Sequence, residues 1–112
     1  MEKSYKEWMP QIDTFILDVD GVLTNGMITI YPNGEMLRQM NIKDGYALKT
    51  AVDAGYRVCV ISGGSNEGVR LRLEGLGITD IFLGIHDKAT RYQELLDKYQ
   101  LSPTANERLR CY

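Results

Sequence analysis

Three short apolar runs punctuate the chain: Thr14-Phe15-Ile16-Leu17-Asp18-Val19, Arg57-Val58-Cys59-Val60-Ile61 and Asp80-Ile81-Phe82-Leu83. Each is too short for a helix and rich in β-branched or aromatic residues, which predicts strands. The second is apolar without alternation, as in a strand covered on both faces of a parallel sheet. Between and after the runs the period becomes helical. Asp44 to Ala54 carries Ala47, Leu48, Ala51 and Val52 on one stripe, with Gly55 following at the C′ position. Asn66 to Leu76 aligns Val69, Leu73 and Leu76, and Asp87 to Tyr99 aligns Ala89, Tyr92, Leu96 and Tyr99. Asp87 suits an N-cap and Lys98 the last turn. Strands alternating with helices predict right-handed βαβ crossovers and an α/β fold built on a parallel sheet.

One segment breaks the alternation. Met27-Ile28-Thr29-Ile30-Tyr31 and Met36 to Met40 flank Pro32-Asn33-Gly34-Glu35, a strong β-hairpin pattern. It follows the first strand, so it projects from the edge where ligands bind in open α/β sheets. No Ser/Gly linker or repeat divides the 112 residues, and one domain spanning 1–112 is expected. With 13 basic against 15 acidic residues there is no cationic excess for a phosphate backbone, so nucleic acid is not an expected partner. No run approaches the ~20 apolar residues of a membrane helix, and the charged start of the chain lacks a signal-peptide core. A cytoplasmic, membrane-free protein is expected. Cys59, inside an apolar run, reads as a small hydrophobe, and Cys59 and Cys111 have no metal-ligand spacing.

The first strand ends in Asp18-Val19-Asp20-Gly21. Two carboxylates this close raise one another's pKa unless a cation neutralises them. Mg²⁺, held by one or two carboxylates, water and substrate phosphate, suits the role. One carboxylate can then attack phosphorus while the other serves the leaving oxygen. Gly21 allows a sharp turn that presents N–H groups to an anion. Ser62-Gly63 at the end of the second strand and Lys88 opening the last helix converge on the same sheet edge, supplying the positioning and positive charge that phosphoryl transfer needs. A lysine in a helix's first turn opposes the helix dipole, a cost that points to function. Gly63-Gly64 with Gly68 is too loosely spaced for a nucleotide loop. His86, the only histidine, falls in a loop, and Trp8 belongs to a charged N-terminal arm or frayed end.

The run from Phe15 to Thr24 resembles the first motif of the haloacid dehalogenase-like (HAD-like) phosphotransferases. Within them it is similar to the phosphatases of 3-deoxy-D-manno-octulosonate 8-phosphate and of phosphorylated nonulosonic acids. The resemblance extends from about Ile12 to Pro103 through Asn41-Ile42-Lys43-Asp44-Gly45-Tyr46, Ile61-Ser62-Gly63, Leu76-Gly77-Ile78-Thr79 and Lys88. It implies a three-layer αβα Rossmann-like sheet with a small β-hairpin in place of a cap domain. It implies Mg²⁺-dependent hydrolysis of a sugar-acid phosphate, yielding a surface-polysaccharide sugar. Asp18 would be nucleophile and metal ligand; Asp20 would be general acid/base and metal ligand through its carbonyl. Ser62 and Gly63 would bind the phosphate, and Lys88 would neutralise charge on the phosphoryl group and Asp18. Asn41, Ile42, Lys43, Asp44 and Gly45 would touch the sugar acid, with Lys49 and Arg72 as partners for its carboxylate or phosphate. A homotetramer through the 27–40 hairpin is also implied.

The chain departs from that pattern twice. Many relatives carry an arginine where this chain has Gly64. After Pro103 the family continues into a fourth buried strand ending in paired acidic residues, whereas residues 104–112 contain no apolar run and no Asp. Cys111 and Tyr112 stand where the acidic pair is expected. The expectation is therefore a chain lacking that C-terminal strand, with one metal ligand fewer and the first strand left as an open edge. Three other readings compete: a non-catalytic truncated module, a phosphatase of a nine-carbon nonulosonate 9-phosphate, and a receiver-type domain phosphorylated on Asp18. The hairpin directly after Asp18 argues against the last.

Overall fold

The computed structural model describes residues 12–101 and 109–112, so the arm around Trp8 lies outside the described residues. In chain order the elements are β1 (Thr14–Leu17), β2 (Thr29–Ile30), β3 (Met36–Leu37), α1 (Ile42–Asp53), β4 (Arg57–Ile61), α2 (Glu67–Gly75), β5 (Asp80–Phe82), α3 (Lys88–Lys98) and β6 (Leu109–Cys111). Four strands form one sheet in the order β5–β4–β1–β6, every neighbouring pair parallel. β2 and β3 pair antiparallel as a separate hairpin, closed through Asn33-Gly34 with Gly34 at φ +86°. Only glycine takes that backbone region without strain.

Alternation along the paired strands assigns each helix to a face. Leu17, Val58 and Val60 pack with Leu48, Ala51 and Val52 of α1 and with Val69 and Leu73 of α2. Ile16, Cys59 and Ile61 point the other way, onto Leu95 and Leu96 of α3 and Leu101. This is why the β4 run is apolar without a break: both its faces are covered. Leu73, Leu95 and Leu96 are almost without solvent exposure, and each contributes about 1.5–3 kcal/mol by that burial. The helices begin where side-chain caps stand. Asn41 accepts from the Lys43 N–H at 2.7 Å, Asn66 from Val69 at 3.1 Å and Asp87 from Thr90 at 3.0 Å.

Two features differ from the sequence expectation. β1 is not an open edge, because β6 covers it in register, Thr14 opposite Leu109 and Ile16 opposite Cys111. The ladder continues past the strand: Tyr112 N–H donates to the Ile16 carbonyl at 2.8 Å, and Asp18 N–H donates to the Tyr112 carbonyl at 3.0 Å. Leu-Arg-Cys shows no apolar run because pairing of main-chain groups, each costly if left unmet, places this strand. The expected absence of a C-terminal strand is thus corrected: Leu109–Cys111 pairs parallel with β1.

The second feature is a polar cluster at the opposite sheet edge. Asp80, 7% exposed, accepts from Tyr99 Oη, from Lys98 Nζ at 3.2 Å and from Cys59 Sγ at 3.7 Å. The Arg57 guanidinium lies 3.8 Å from the Tyr99 ring centre and reaches Thr14 Oγ1 at 3.0 Å. Burial, then the Asp80 charge, pushes the Cys59 thiol up to about 12, so it stays a protonated, inert core residue.

Candidate active site

Asp18 directly follows β1, so the strand delivers its carboxylate to the C-terminal edge of the sheet. One oxygen accepts from the Val19 N–H at 2.7 Å, and the other accepts from Lys88 Nζ at 2.8 Å. Lys88 is the first residue of α3, held there by the Asp87 cap. The chain between Asp18 and Lys88 folds so that strand end and helix start meet. Asp20 sits beyond, on a turn that Gly21 makes possible at φ +82°. The Gly21 N–H donates to Thr24 Oγ1 at 3.2 Å, so this turn is stitched internally rather than opened toward an anion.

The carboxylate of Asp20 is gripped by a residue that sequence reasoning missed. Arg38, immediately after β3, donates through Nε at 2.8 Å and Nη2 at 3.1 Å, a two-pronged arginine–carboxylate pair. That hydrogen bonding holds Asp20 below the usual carboxylate range, against a smaller opposing effect of burial, and raises Arg38 in turn. The mutual repulsion expected of the two aspartates is therefore relieved by Lys88 on one and Arg38 on the other. Sequence offered only a weak signal for Arg38: a charged residue on a hairpin otherwise rich in Met, Ile and Tyr.

An open cavity of about 680 Å³ lies against these groups, lined by Asp18, Asp20, Arg38, Gly63, Gly64 and Lys88 among others. Ser62 does not line it. Its hydroxyl is buried and accepts from the Gly64 N–H at 3.3 Å, so it shapes the loop while Gly63, Gly64 and Ser65 face the cavity. Asn41 and Asp44 line a separate hollow of about 360 Å³ with Thr24, Asn25, Gln39 and Met40. Asn41 also caps α1, and Ile42 and Lys43 are exposed on its first turn. Gly45 is buried, and a Cβ there would meet Arg72 Nη2. Arg72 therefore seats against α1 rather than the cavity. Lys49 pairs with Asp53 at 3.1 Å on the exposed helix face, and it too lies outside the cavity lining. His86 is exposed and does not contribute to that lining either.

The donor chemistry suits a hard divalent cation. The Asp18 carboxylate and the Asp20 main-chain carbonyl are oxygen donors two residues apart just past the end of β1, the small donor set with which Mg²⁺ is held alongside water and substrate phosphate. Among the described residues no cluster of three His, Cys, Asp or Glu side chains forms a larger site. The described helices include none long and apolar enough to cross a membrane.

An α/β sheet that places Asp-x-Asp-Gly, a Ser-Gly loop and a lysine together can be compared with known proteins. No family model matches the chain. A curated relative, 3-deoxy-D-manno-octulosonate 8-phosphate phosphatase of Escherichia coli K12, is 38% identical over 92 residues, 82% of this chain and 49% of the relative. The chain belongs to the haloacid dehalogenase-like superfamily. Over the matched residues its sequence is similar to that of the octulosonate 8-phosphate phosphatases. The solved structure of that phosphatase from Yersinia pestis superposes with a TM-score of 0.82 at 32% identity, covering 94% of this chain and 55% of that one. The Moraxella catarrhalis phosphatase, solved with a magnesium ion, a phosphate ion and a KDO molecule, gives 0.80 at 28% identity over 94% of this chain and 59% of that one. The chain spans about half the length of the curated relatives it matches.

Proposed function

We propose that the chain is a cytoplasmic hydrolase that cleaves 3-deoxy-D-manno-octulosonate 8-phosphate to the free sugar acid and inorganic phosphate. The observation that carries this reading is the 2.8 Å pair of Asp18 and Lys88 beside the Gly63–Ser65 loop. A nucleophilic carboxylate, a cation and a small-residue loop there share one cavity. The Moraxella catarrhalis relative, bound to magnesium, phosphate and a KDO molecule, supports the substrate class and the metal.

A carboxylate oxygen of Asp18 attacks phosphorus, and the ester P–O bond breaks with its electron pair remaining on the sugar oxygen. That oxygen takes a proton from Asp20, leaving the phosphoryl group on Asp18. Water then attacks the same phosphorus and gives a proton to Asp20, and the bond to Asp18 breaks to return its carboxylate and release phosphate. Lys88 offsets the negative charge on the phosphoryl oxygens and orients Asp18. Mg²⁺ would be held by the Asp18 carboxylate and the Asp20 carbonyl, and when bound it neutralises phosphoryl charge. Asp20 ionised on Arg38 is ready as the base of the second step. For the first it must carry a proton.

Met27, Ile30, Tyr31 and Met36 leave large apolar side chains exposed on the hairpin, which supports a homotetramer assembled through residues 27–40. Light scattering at several protein concentrations tests this, and a monomer throughout rejects it.

One observation favours a second reading, a folded module without turnover. β6 brings Cys111 and Tyr112, not carboxylates, alongside Asp18. Phosphate release from octulosonate 8-phosphate and from a nine-carbon nonulosonate 9-phosphate, with and without Mg²⁺, separates these readings. Mg²⁺-dependent release that disappears in Asp18→Asn supports the hydrolase, and the preferred substrate fixes the carbon number. No release from the folded chain supports the module.

A further inference from the structure

Arg38 is held from three directions. Its side chain is 9% exposed although it stands on a hairpin whose neighbours are open to solvent. Nε and Nη2 grip Asp20, and Nη1 donates to the Met36 carbonyl at 3.4 Å. That carbonyl also accepts from Asn66 Nδ2 at 3.0 Å, while Asn66 Oδ1 caps α2. The guanidinium thus ties the turn after β1 to the hairpin, and Asn66 ties the hairpin to the loop after β4.

Gly64 completes the seat. A Cβ at this position would stand 2.7 Å from Arg38 Nη2 and 3.2 Å from Cζ, with Nη1 the next nearest atom at 3.7 Å. The three nearest atoms all belong to Arg38. The backbone of Gly64 is outside the left-handed region, so a side chain there meets no backbone strain but requires the Arg38 guanidinium to shift.

We infer that Arg38 is the positioning residue for Asp20, and that Gly64 is the small-residue seat that lets it act. The inference rests on the phosphatase reading, in which Asp20 passes a proton to the leaving oxygen. Asp20 is on a loop with its side chain 40% exposed, and a carboxylate so placed can turn about both of its side-chain torsions. The two-pronged contact fixes the carboxylate plane as well as its position, which a lysine's single ammonium cannot do. The hairpin consequently does more than cover the cavity: it carries the group that orients the Asp20 carboxylate.

The test uses leaving-group dependence in the full chain. An alkyl phosphate such as octulosonate 8-phosphate needs its departing oxygen protonated, whereas p-nitrophenyl phosphate departs as a stable anion. Arg38→Met is expected to lower the ratio of kcat for the alkyl ester to kcat for the aryl ester by about 10-fold or more, part of the 10²–10⁴ that a positioned acid supplies. Arg38→Lys recovers part of that ratio. Gly64→Ala, which changes no charge, reproduces the effect, and adding it to Arg38→Met changes the ratio no further. An unchanged ratio, a silent Gly64→Ala or additive losses would overturn the inference.

A second measurement is independent of turnover. The Arg38 Nε–H resonance is expected to be protected from solvent exchange in the parent and to lose that protection in Gly64→Ala. If no substrate is turned over yet this pattern holds, the phosphatase reading fails and the Arg38–Gly64 arrangement stands. An unprotected Nε–H in the parent overturns the arrangement itself.

Discussion

Lys88→Met separates what a contact does for the fold from what it does for the reaction. Lys88 and Asp18 lie 2.8 Å apart with side chains 47% and 33% exposed. An ion pair so open to water stabilises the fold by about 0.2–1 kcal/mol. Lys88 is also the first residue of α3, where a positive charge meets the positive end of the helix dipole at a cost of about 0.3–1 kcal/mol. The two contributions oppose one another, so the substitution is expected to change stability by no more than about 0.5 kcal/mol, the range of ordinary surface changes. Asp18 keeps its contact with the Val19 N–H and stays partly hydrated. In the proposed mechanism the same ammonium faces developing charge on phosphoryl oxygens, and losing one such preorganised donor is expected to lower kcat by about 10²–10³. Urea unfolding followed by far-UV circular dichroism gives the first quantity, and phosphate release at saturating substrate gives the second. A loss of more than about 1.5 kcal/mol would show that Lys88 is structural. Turnover within about 3-fold of the parent would show an ordinary solvated ion pair, since general surface contacts carry no larger effect.

Three further outcomes follow from the geometry. Tyr99→Phe removes one donor from the nearly buried Asp80 carboxylate while keeping the ring under Arg57, and it should lower the unfolding free energy by about 1.5–3 kcal/mol with an unchanged denaturant slope. The Tyr99 hydroxyl is raised by burial and then by Asp80, and Lys98 is raised by its bonds to Tyr99 and Asp80. Both contributions are complete below the ordinary pKa near 10 and are lost as pH climbs through the raised folded values, so stability should fall above about pH 10. Urea midpoints at pH 8, 10 and 11 check this, with a smaller alkaline loss in Tyr99→Phe. Chelation should abolish turnover reversibly without altering the far-UV spectrum, because the described core closes through apolar packing and strand ladders. Turnover untouched by a chelator would remove the metal from the reading.

Much of the architecture was legible along the chain because burial imposes a period. The β1, β4 and β5 runs, the three helical stripes and the Asn-Gly hairpin all came from hydrophobic spacing and turn chemistry. Asp18, Asp20, Gly63 and Lys88 were legible because strand ends and helix starts sit at fixed places relative to a parallel sheet, and these residues do line one cavity. Lys49 and Arg72 show the limit of that reasoning. Their charge suited a substrate anion, but helix phase sends one to Asp53 and the other against Gly45.

The sequence by itself determined the layered α/β fold and which chemistry gathers at its edge, since both depend on local period and order. Tertiary structure alone decided three things. It seated Ser62 beneath its loop rather than in the cavity, because its hydroxyl has the Gly64 N–H to meet. It added β6 beside β1, because unpaired main-chain groups select a partner without regard to side-chain hydrophobicity. It brought Arg38 onto Asp20 over Gly64, a contact between residues 18 positions apart that exists only once the hairpin folds back across the sheet edge.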